Sequence, residues 1–452
     1  MTIASALDLP NSDYTLLTDL YQLTMAACYI GEGLDQRPAS FELFTRRLPP
    51  DFGYLIAMGL EQALHYLATL HFTSDQIASL QATGIFAHVP DRVWEVLANG
   101  RFTGDVWAVP EGTVVFANQP LLRIEAPLWQ AQLVETLLLN TLNYQTLIAT
   151  RAGRIRDVAG AEATLLEFGT RRAFSPQAAL WAARASLAAG FNATSNVLAA
   201  IALGQKPAGT MAHALVMAIG ALEGHEMEAF AAFHTYFPGA PLLIDTYDTI
   251  AAAQQLKTRM ETEGMALSGV RIDSGDLATL SQQVKALLPQ VPIFASGDLD
   301  EYRIAELQAA ESCIEGYGIG TQLVTGTPVN GVYKLVEIDG IPVMKASPGK
   351  VTYPGKKQIF RSLAAGQFQS DRLGLQSESP LPGEQPVLQL VMQQGQRLAP
   401  SEPLSQIADR TRQSIQQLPA PLRQLRHPPA IAPRLTPALQ DLTDQVQKRI
   451  NP

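Results

Sequence analysis

The stretch VRIDSGD at residues 270–276 contains the pattern on which the predicted fold rests, a short apolar strand that ends in polar residues and a glycine. A helical pattern follows it directly at residues 276–288. The same order of strand, polar turn and helix recurs on both sides of this stretch. Further strands are predicted at residues 164–168, 241–245, 292–296 and 316–320, and further helices at residues 176–190, 249–263 and 300–310. Repeated units of this kind predict a parallel sheet, and this many in series favour a βα barrel over an open sheet.

The two ends of the chain have a different pattern from its middle. Short helical and strand-like segments alternate at the start, and residues 104–125 read as a small β unit with tight turns. After Gly331 the pattern returns to strands. The stretch from Arg397 is rich in proline and glutamine and leads to a helix predicted at residues 437–450. We interpret this closing stretch as a peripheral extension.

Composition and charge exclude several classes of protein. The 452 residues are 47% apolar and 17% charged, which indicates a large interior and, at about 150 residues per domain, two or three domains. The formal net charge of −9 has the wrong sign for binding nucleic-acid phosphates, so we expect no nucleic-acid partner. Cys28 and Cys313 are too few for a four-cysteine zinc site and argue against a disulfide-stabilised secreted domain. Because the chain has no apolar run of about 18 residues and no signal-peptide pattern, we expect a cytoplasmic protein with no membrane partner.

The polar residues of the VRIDSGD stretch suit a phosphosugar and a metal. The strand places Arg271 and Asp273 on the same side of the chain, and Ser274, Gly275 and Asp276 turn into the following helix. Such a turn offers backbone N–H groups, a hydroxyl and two carboxylates at one place. The alternative is that an aspartate or serine only caps the helix, with Arg271 in an incidental salt bridge.

Glycines follow two other predicted strands. In the motif GYGIGT, Gly318 and Gly320 let the backbone approach a ligand closely and Thr321 adds a hydroxyl, which suits a phosphate nest. The motif SGDLDE likewise places Gly297 and a carboxylate after its own strand. A lone G-x-G is more often a strand that turns, and the sequence has neither a dinucleotide-binding fingerprint here nor a GxxxxGK[ST] loop.

Two arginines and a histidine complete the candidate residues. In EFGTRR, Arg171 and Arg172 come directly after a predicted strand and can bind a carboxylate or phosphate, while Phe168 offers a flat face to an aromatic ligand. The alternative is a pair of surface arginines on a loop. In GTMAH, His213 is either a functional or a structural histidine, and Asp245, at the end of another strand, could orient it.

Together these residues resemble the nicotinate phosphoribosyltransferase family. The resemblance extends from TDLYQLTM at residues 18–25 to VTYPGK at residues 351–356, and the order and spacing of EFGTRR, GTMAH, LIDTYD, VRIDSGD, SGDLDE and GIGT are similar to that family's series. One such motif is weak, whereas the whole series is highly specific. The fold class implied is α/β, with an irregular parallel βα barrel at residues 133–324, a discontinuous α/β domain from residues 1–132 and 325–400, and the extension at residues 401–452.

The resemblance implies a reaction and its coupling. The family joins nicotinate to 5-phosphoribosyl 1-diphosphate in NAD salvage, giving nicotinate mononucleotide and diphosphate, with Mg²⁺ as cofactor and ATP as co-substrate. By resemblance the catalytic residues are His213, which ATP phosphorylates, Asp245, which holds its other ring nitrogen, and Asp273. Phosphorylation would put negative charge where the sugar diphosphate and Mg²⁺ assemble. Asp273 and Asp276 are the implied weak metal ligands, acting through the diphosphate.

The resemblance also implies how the substrates are bound. Relatives hold the pyridine ring between two aromatic side chains, which correspond here to Phe168 and to Tyr21, the latter supplied by a neighbouring subunit. We therefore expect a homodimer with shared active sites. The other residues implied for nicotinate are Arg171, Ser195, Thr210 and Arg271. Those implied for the phosphoribosyl and diphosphate groups are Arg172, Arg271, Asp273, Ser274, Gly275, Asp276, Gly297, Gly318, Gly320 and Thr321.

Position 195 bears on the choice of base. Relatives that use nicotinamide carry an aspartate there, whereas this chain has Ser195. A carboxylate about 4 Å from the nicotinate carboxylate would cost on the order of 4 kcal/mol at an effective dielectric of about 20. Serine removes that repulsion and favours the acid over the amide.

Other functions remain as alternatives. A quinolinate-using enzyme would share the barrel but decarboxylate its substrate and need no phosphohistidine. A non-catalytic pyridine-nucleotide or phosphosugar binding protein would keep the glycine turns, although the histidine and the three aspartates named above argue against it. An aldolase-like barrel would place a Schiff-base lysine at a strand end, where this chain has glycine, aspartate and arginine. Two interpretations remain for four lysines, which either bind diphosphate or ATP or belong to a solvated loop: Lys345, Lys350, Lys356 and Lys357.

Overall fold

Residues 13–345 and 352–450 are described by the computed structural model, in which the chain divides into two compact units. Unit 1 consists of the residues up to Leu147 and those from Pro328 onward, and unit 2 is the continuous segment Ile148–Thr327. The first division falls inside a long helix rather than before it. Residues 401–450, interpreted above as an extension, belong to unit 1. Lys350 lies outside the described residues.

The described residues form mainly short elements. The helices are α1 Leu20–Gly31, α2 Leu60–Thr69, α3 Ser74–Ala82, α4 Arg92–Asn99, α5 Leu128–Leu133, α6 Glu135–Ala159, α7 Pro176–Ala188, α8 Val197–Ala202, α9 His213–Glu223, α10 Glu226–Tyr236, α11 Thr249–Glu263, α12 Leu277–Leu287, α13 Glu301–Ala309, α14 Thr321–Val324, α15 Leu404–Gln416 and α16 Pro437–Ile450. The strands are β1 Pro38–Thr45, β2 Leu55–Ile56, β3 Asp105–Ala108, β4 Val114–Val115, β5 Pro120–Pro127, β6 Thr164–Glu167, β7 Ala193–Thr194, β8 Leu242–Leu243, β9 Val270–Ile272, β10 Ile293–Ser296, β11 Gly316–Ile319, β12 Gly331–Ile338, β13 Ile341–Pro342, β14 Lys357–Ala364, β15 Gln367–Leu375, β16 Glu384–Pro386, β17 Gln389–Gln393, β18 Gln396–Arg397 and β19 Arg434–Leu435. Short 3₁₀ turns lie at Asp13–Thr15 and Ala420–Arg423. Across these ranges, no helix has the length and apolar character needed to cross a membrane.

Unit 1 is built on a seven-stranded antiparallel sheet in the order β13-β12-β1-β5-β3-β17-β18. Strand β1 pairs with β12 on one side and with β5 on the other, so strands from both parts of the chain share this sheet. Leu43 of β1 and Ile124 of β5 are at most 1% exposed and belong to its core. A four-stranded sheet in the order β16-β14-β15-β19 and the pair β2-β4 complete the unit.

The closing helices of the chain pack into unit 1 through apolar stripes. Ile407, Thr411 and Ile415 recur every fourth residue along α15 and are at most 3% exposed. Leu439 and Val446 are the corresponding buried apolar residues of α16. This spacing is typical of a helix with one buried face. The helix predicted at residues 437–450 is therefore confirmed as α16, whereas α15 was not predicted from the proline- and glutamine-rich composition of the stretch.

Unit 2 contains a six-stranded parallel sheet in the order β7-β6-β11-β10-β9-β8. Each strand leads into at least one helix, and Leu165, Leu243, Val270 and Ile293 are completely buried. Near-continuous apolar strands are expected where helices cover both faces of a parallel sheet. The prediction of an α/β fold with a parallel sheet is confirmed, and strands β6 and β8 to β11 lie inside their predicted ranges. The hydrogen-bonded ladder ends at β7 and β8, so closure into a barrel stays a prediction.

Polar residues after the strands begin several of the helices in unit 2. The side chains of Ser175, Asp248 and Asp300 each accept a backbone N–H from the first turn of the following helix, at 3.0, 2.9 and 2.7 Å. The first turn of a helix has N–H groups without partners inside the helix, and such side chains satisfy them. The carboxyl edge of the sheet therefore carries polar residues for helix capping as well as for any site.

Unit 1 contains a buried ion pair at the start of β14. Lys357 Nζ lies 2.9 Å from Glu42 Oε2, and the two side chains are 3% and 0% exposed. The same ammonium group donates to the carbonyl oxygens of Tyr353 and Gly355 at 2.6 and 2.8 Å. Burial lowers the pKa of Lys357, and the charge of Glu42 opposes that shift. The ammonium group is fully used within unit 1, which favours a structural role for this lysine.

We expect Lys357→Met to lower the free energy of unfolding by about 3–5 kcal/mol, because Glu42 is left buried without its countercharge. Chemical denaturation followed by circular dichroism measures this change. Lys356→Met is the matched control, since Lys356 is 33% exposed and lies 2.7 Å from Glu125 in a partly solvated pair. Its loss should be about 1 kcal/mol or less. Equal losses in the two variants would contradict the structural role of the buried pair.

Candidate functional site

A pocket of about 440 Å³ opens at the carboxyl ends of β6, β9, β10 and β11 in unit 2. Neighbouring parallel strands end at the same edge of a sheet, which brings distant parts of the sequence together there. The predicted site residues that line it are Phe168, Arg171, Arg172, Asp273, Ser274, Gly275, Gly297, Gly318, Gly320 and Thr321. Leu277, Ser296, Asp298 and Arg303 line it as well. The predicted site residues that do not line it are Tyr21, Ser195, Thr210, His213, Asp245, Arg271 and Asp276.

The ring of Phe168 lies directly against the backbone of Gly318. A Cβ atom at position 318 would lie 2.4 Å from the ring, and one at position 320 would lie 3.3 Å from the carbonyl oxygen of Phe168. Only glycine at position 318 therefore leaves room for the ring. The guanidinium carbon of Arg271 lies 6.0 Å from the ring centroid. Burial lowers the pKa of Arg271, two nearby aspartates oppose the shift, and an arginine remains charged in either case.

Asp245 connects the end of β8 to the turn after β9. Its Oδ2 accepts hydrogen bonds from the backbone N–H of Asp273 at 2.8 Å and from the hydroxyl of Ser274 at 2.7 Å. Asp273 Oδ1 in turn accepts a hydrogen bond from the hydroxyl of Ser296 at 2.5 Å. Gly297, with φ +90°, approaches so closely that a Cβ there would lie 2.2 Å from the carbonyl oxygen of Asp273. Asp273 is thus held from three strand ends with its carboxylate at the pocket.

The structure corrects the partner expected for His213. This histidine begins α9, and its Nδ1 lies 3.1 Å from Thr246 Oγ1 rather than at a carboxylate of Asp245. Oδ2 of Asp245 instead accepts two hydrogen bonds from the turn after β9. Within the described residues, the buried Oδ1 of Asp245 has no hydrogen-bond partner. Asp245 is thus bound to the 273–274 turn, and the contact of the imidazole is with Thr246.

Asp276 follows the alternative interpretation, that of a helix cap. It is the N-cap of α12, and its two oxygens accept hydrogen bonds from the backbone N–H and the hydroxyl of Thr279 at 3.4 and 2.6 Å. These hydrogen bonds lower the pKa of Asp276. The pairing of Asp273 with Asp276 as metal ligands stays a prediction. No group of three or more His, Cys, Asp or Glu suited to a metal occurs among the residues the structure describes.

Three of the residues expected to bind the base have other surroundings. The hydroxyl of Thr210 donates to the carbonyl oxygen of Pro241 at 2.6 Å. Ser195 is half-buried, and its backbone N–H donates to the carbonyl oxygen of Glu167 at 2.9 Å. Tyr21 lies on α1 of unit 1 and is 48% exposed. The structure of one chain therefore assembles the phosphosugar candidates more completely than the base candidates.

Sequence motifs did not identify Arg303, which lines the pocket from the first turn of α13. Its backbone N–H is bound by Asp300 at 2.7 Å, and its side chain lies 3.0 Å from Glu306 in an exposed pair. The sequence signal that could have identified it is a basic residue three positions after a helix-capping residue. Helical side chains lean toward the N-terminus of the helix, so such a residue can reach the strand end that precedes the helix. Asp298 was present in a recognised motif but was not assigned. The lining then has three arginines against two aspartates, which suits an anion that also carries hydroxyl groups.

Comparisons with known proteins agree on one family. The model of the nicotinate phosphoribosyltransferase N-terminal domain matches residues 16–143, and the nicotinate phosphoribosyltransferase family model matches residues 163–370. A nicotinate phosphoribosyltransferase of Mycobacterium tuberculosis is 42% identical over 449 residues, covering 94% of this chain and 93% of the relative. The crystal structure of human nicotinic acid phosphoribosyltransferase matches with a TM-score of 0.84 at 30% identity, covering 95% of this chain and 99% of that one. A nicotinate-nucleotide pyrophosphorylase from Pyrococcus furiosus shares the fold, with a TM-score of 0.74 at 23% identity over 91% of this chain and 98% of that one.

We expect Gly297→Ala to lower the free energy of unfolding by about 2–5 kcal/mol, from backbone strain at positive φ and from contact with Asp273. Gly264→Ala is the control, since Gly264 also has positive φ but nothing lies within 4 Å of the added Cβ. It should cost about 1–2 kcal/mol. Urea denaturation of both variants compares the two values. If they lose the same stability, the close approach at position 297 does not constrain the pocket.

Proposed function

Because the chain belongs to the nicotinate phosphoribosyltransferase family, and is therefore an enzyme of that class, we propose that it joins nicotinate to 5-phosphoribosyl 1-diphosphate, giving nicotinate mononucleotide and diphosphate in NAD salvage. One observation carries the proposal. A single pocket combines an aromatic face, three arginines and two carboxylates at the carboxyl ends of parallel strands. The proposed location remains the cytoplasm, as expected from the sequence.

The glycine turns of the pocket are the proposed site for the phosphate groups of the sugar. Gly318 and Gly320 carry no side chain between the backbone and the pocket, and Thr321 begins the short helix α14. Backbone N–H groups in such turns bind phosphate oxygens. Arg172 and Arg303 line the same pocket and would supply positive charge to the diphosphate.

The face of Phe168 is the proposed platform for the pyridine ring. The guanidinium groups of Arg171 and Arg271 interact electrostatically with one another, so both lie near this face. A nicotinate carboxylate would bind one of them through two parallel hydrogen bonds. Ser195 adds no further carboxylate at the position where an aspartate would oppose the acid, which supports nicotinate as substrate.

The chemistry proposed for the pocket centres on Asp273. As the bond between the sugar C1 and the diphosphate oxygen breaks, C1 acquires oxocarbenium character, and the pyridine nitrogen forms the new bond. A carboxylate held by Ser296 would stabilise that positive charge. Asp273 and Asp298 are the pocket carboxylates that would hold Mg²⁺ together with diphosphate oxygens, which fits a metal that needs few protein ligands. When bound, Mg²⁺ neutralises charge on the leaving diphosphate.

We propose that His213 couples the reaction to ATP hydrolysis. A ring nitrogen would take the γ-phosphoryl group of ATP, and ADP would leave. His213 is the first residue of α9, an 11-residue helix whose N-terminal end favours negative charge. Because Nδ1 lies against Thr246, we propose Nε2 as the nitrogen that is phosphorylated.

An exposed apolar surface in unit 2 supports the proposed homodimer. In unit 2, Val197, Leu198 and Ile201 are 57%, 64% and 67% exposed on the short helix α8. Exposed apolar residues grouped in this way are typical of protein interfaces. In the proposed dimer, Tyr21 of the partner subunit stacks on the pyridine ring opposite Phe168.

A group of cations in unit 1 supports the same arrangement. Burial lowers the pKa of Lys334, and the charges of Arg46 and Lys345 lower it further, while the charge of Glu135 opposes them. The buried Nε of Arg46 has no hydrogen-bond partner within the described residues. Three cations near one carboxylate suit an anionic substrate, and we propose that the partner subunit presents this group to the diphosphate.

Barrel closure in unit 2 is proposed from two hydrogen bonds beyond the strand ladder. The backbone N–H of Ala208 donates to the carbonyl oxygen of Thr194 in β7 at 2.9 Å. Two residues later the hydroxyl of Thr210 donates to the carbonyl oxygen of Pro241, next to β8, at 2.6 Å. One segment thus bridges the two edge strands of the sheet. We propose that it closes an irregular barrel without a further strand.

An assay with 5-phosphoribosyl 1-diphosphate and Mg²⁺ tests the proposed function. Nicotinate, nicotinamide and quinolinate are offered separately, each with and without ATP, and mononucleotide formation is followed. We expect product from nicotinate that increases strongly with ATP. Product from another base alone would overturn the substrate, and no product from any base would favour the binding-protein alternative.

We expect the protein to prefer nicotinate over nicotinamide by at least about 100-fold in kcat/KM, or about 2.7 kcal/mol. Ser195→Asp should reverse this preference, because a carboxylate about 4 Å from that of nicotinate costs on the order of 4 kcal/mol. Ser195→Asn is the neutral control and should keep the preference for the acid. Comparable turnover of nicotinate and nicotinamide by the unmodified protein would show that Ser195 does not set the preference for the acid.

His213→Ala should abolish the stimulation by ATP while some slow ATP-independent transfer remains. The phosphorylated ring is lost, whereas the pocket lined by Phe168 and Asp273 is unchanged. Initial rates at several ATP concentrations measure this, and loss of the ³²P label from [γ-³²P]ATP is the parallel readout. A variant that responds to ATP like the wild type would show that His213 is not the coupling residue.

A further inference from the structure

We propose that Glu167 is a positioning residue for the base, one that fixes the loop carrying Phe168 and Arg171 against the loop carrying Ser195. The inference rests on the proposed function and extends it to a residue that contacts neither substrate. Glu167 is the last residue of β6 and is completely buried. Its neighbour Phe168 forms the wall of the pocket.

One carboxylate binds both loops. Glu167 Oε1 accepts the backbone N–H of Gly169, and Oε2 accepts the hydroxyl of Thr194 at 2.5 Å. The backbone carbonyl of Glu167 also accepts the N–H of Ser195 at 2.9 Å. The three bonds come from two segments that are distant in sequence. Glu167 is thus hydrogen-bonded to both loops at the positions next to the proposed base-binding residues.

On the first loop, the bond to Gly169 orients the aromatic face. The peptide group between Phe168 and Gly169 cannot rotate without losing this bond, while Phe168 N–H donates to the carbonyl oxygen of Ile319 at 2.8 Å. The carbonyl oxygen of Gly169 then accepts the N–H of Arg172 at 2.8 Å, which forms the turn that carries both arginines. The direction of the ring and of the arginines therefore follows from the Glu167 carboxylate.

On the second loop, Thr194 links the Glu167 carboxylate to the residues that follow it. Its Oγ1 accepts the backbone N–H of Asn196 at 3.0 Å, and Asn196 Oδ1 caps helix α8 through the N–H of Ala199 at 3.0 Å. Ser195 lies between these two residues. A change at Glu167 would release the hydroxyl of Thr194 and with it the position of Ser195.

The two donors that meet at Glu167 suit an ionised carboxylate. Gly169 N–H and Thr194 O–H are both donors, and an ionised glutamate presents two acceptor oxygens, whereas a glutamine presents one acceptor and one donor. Burial raises the pKa of Glu167 and the Thr194 and Gly169 hydrogen bonds oppose that shift, while no cation of the described residues contributes to it. A buried carboxylate without a countercharge is costly for stability. The hydrogen bonds by which the Glu167 carboxylate fixes both loops explain its position between them.

The test compares Glu167→Gln, Thr194→Val and Thr194→Ser with the wild type in the assay above. Glu167→Gln removes one acceptor, and Thr194→Val keeps the side-chain shape without the hydroxyl. We expect each to lower kcat/KM for nicotinate by about 10- to 100-fold, mainly through KM, and to reduce the preference over nicotinamide. In Thr194→Val, the KM for 5-phosphoribosyl 1-diphosphate should stay within about twofold, because Thr194 contacts neither the glycine turns nor the turn that carries Arg172. Thr194→Ser retains the hydroxyl and should restore most of the loss.

A double variant distinguishes a shared effect of Glu167 and Thr194 from two independent effects. If Glu167 acts through Thr194, Glu167→Gln with Thr194→Val should lose little more than either change alone. Parallel losses for both substrates that follow thermal stability would make the role purely structural and overturn the proposal. Wild-type values for the nicotinate KM and the base preference would overturn it as well.

Amide hydrogen exchange without substrate separates this proposal from the proposed function. We expect faster exchange at Gly169 and Ser195 in Glu167→Gln, with exchange at Asp273 unchanged because Asp245 binds that amide. Unchanged exchange in both loops would overturn the role of Glu167 whatever the enzyme does. Failure of the wild type to use nicotinate would instead overturn the proposed function, and the exchange result would still decide whether Glu167 holds the loops.

Discussion

The pocket depends on one steric constraint, the absence of side chains where parallel strands of unit 2 end. The ring of Phe168 occupies the space that a Cβ of Gly318 would need, and the carbonyl of Asp273 occupies the corresponding space beside Gly297, at 2.4 and 2.2 Å. These approaches bring an aromatic face, backbone N–H groups and a carboxylate to one volume of about 440 Å³. A larger residue at either glycine would move a group that faces the pocket. The remaining polar contacts of the site refine an arrangement that this packing has already set.

Two carboxylates behind the pocket then hold its loops. Asp245 accepts two donors from the turn after β9, and Glu167 accepts one donor from each of two loops. Both act through hydrogen bonds from uncharged groups rather than through the arginines of the pocket. Those arginines, with Arg303 added by the structure, keep their charge for an anionic substrate. This division of labour is consistent with the nicotinate phosphoribosyltransferase family, whose reaction as proposed here brings together an acid and a sugar diphosphate.

Unit 1 uses its charges differently. Lys357 is held by Glu42 and by carbonyl oxygens in the interior, so this lysine, which could have bound phosphate, is part of the packing. By contrast, the charges of Arg46 and Lys345 add to the burial that lowers the pKa of Lys334, and the charge of Glu135 opposes that shift. Burial and pairing distinguish the two groups of cations, and neither can be read from the spacing of lysines along the chain.

Local periodicity in the sequence determined the strand–helix order of unit 2 and the class of residue at each strand end, because both depend on near neighbours in the chain. It therefore predicted the parallel sheet and ten of the residues that line the pocket. Only the tertiary structure decided which partners the polar side chains have: His213 lies against Thr246, and Asp276 binds its own helix through Thr279. The tertiary structure also brings Arg303 to the pocket. It also packed α15 and α16 into unit 1, where the sequence had predicted only a peripheral extension that ends in a helix. A polar side chain binds whichever partner folding brings within about 3 Å, and that distance is set by packing between segments far apart in sequence.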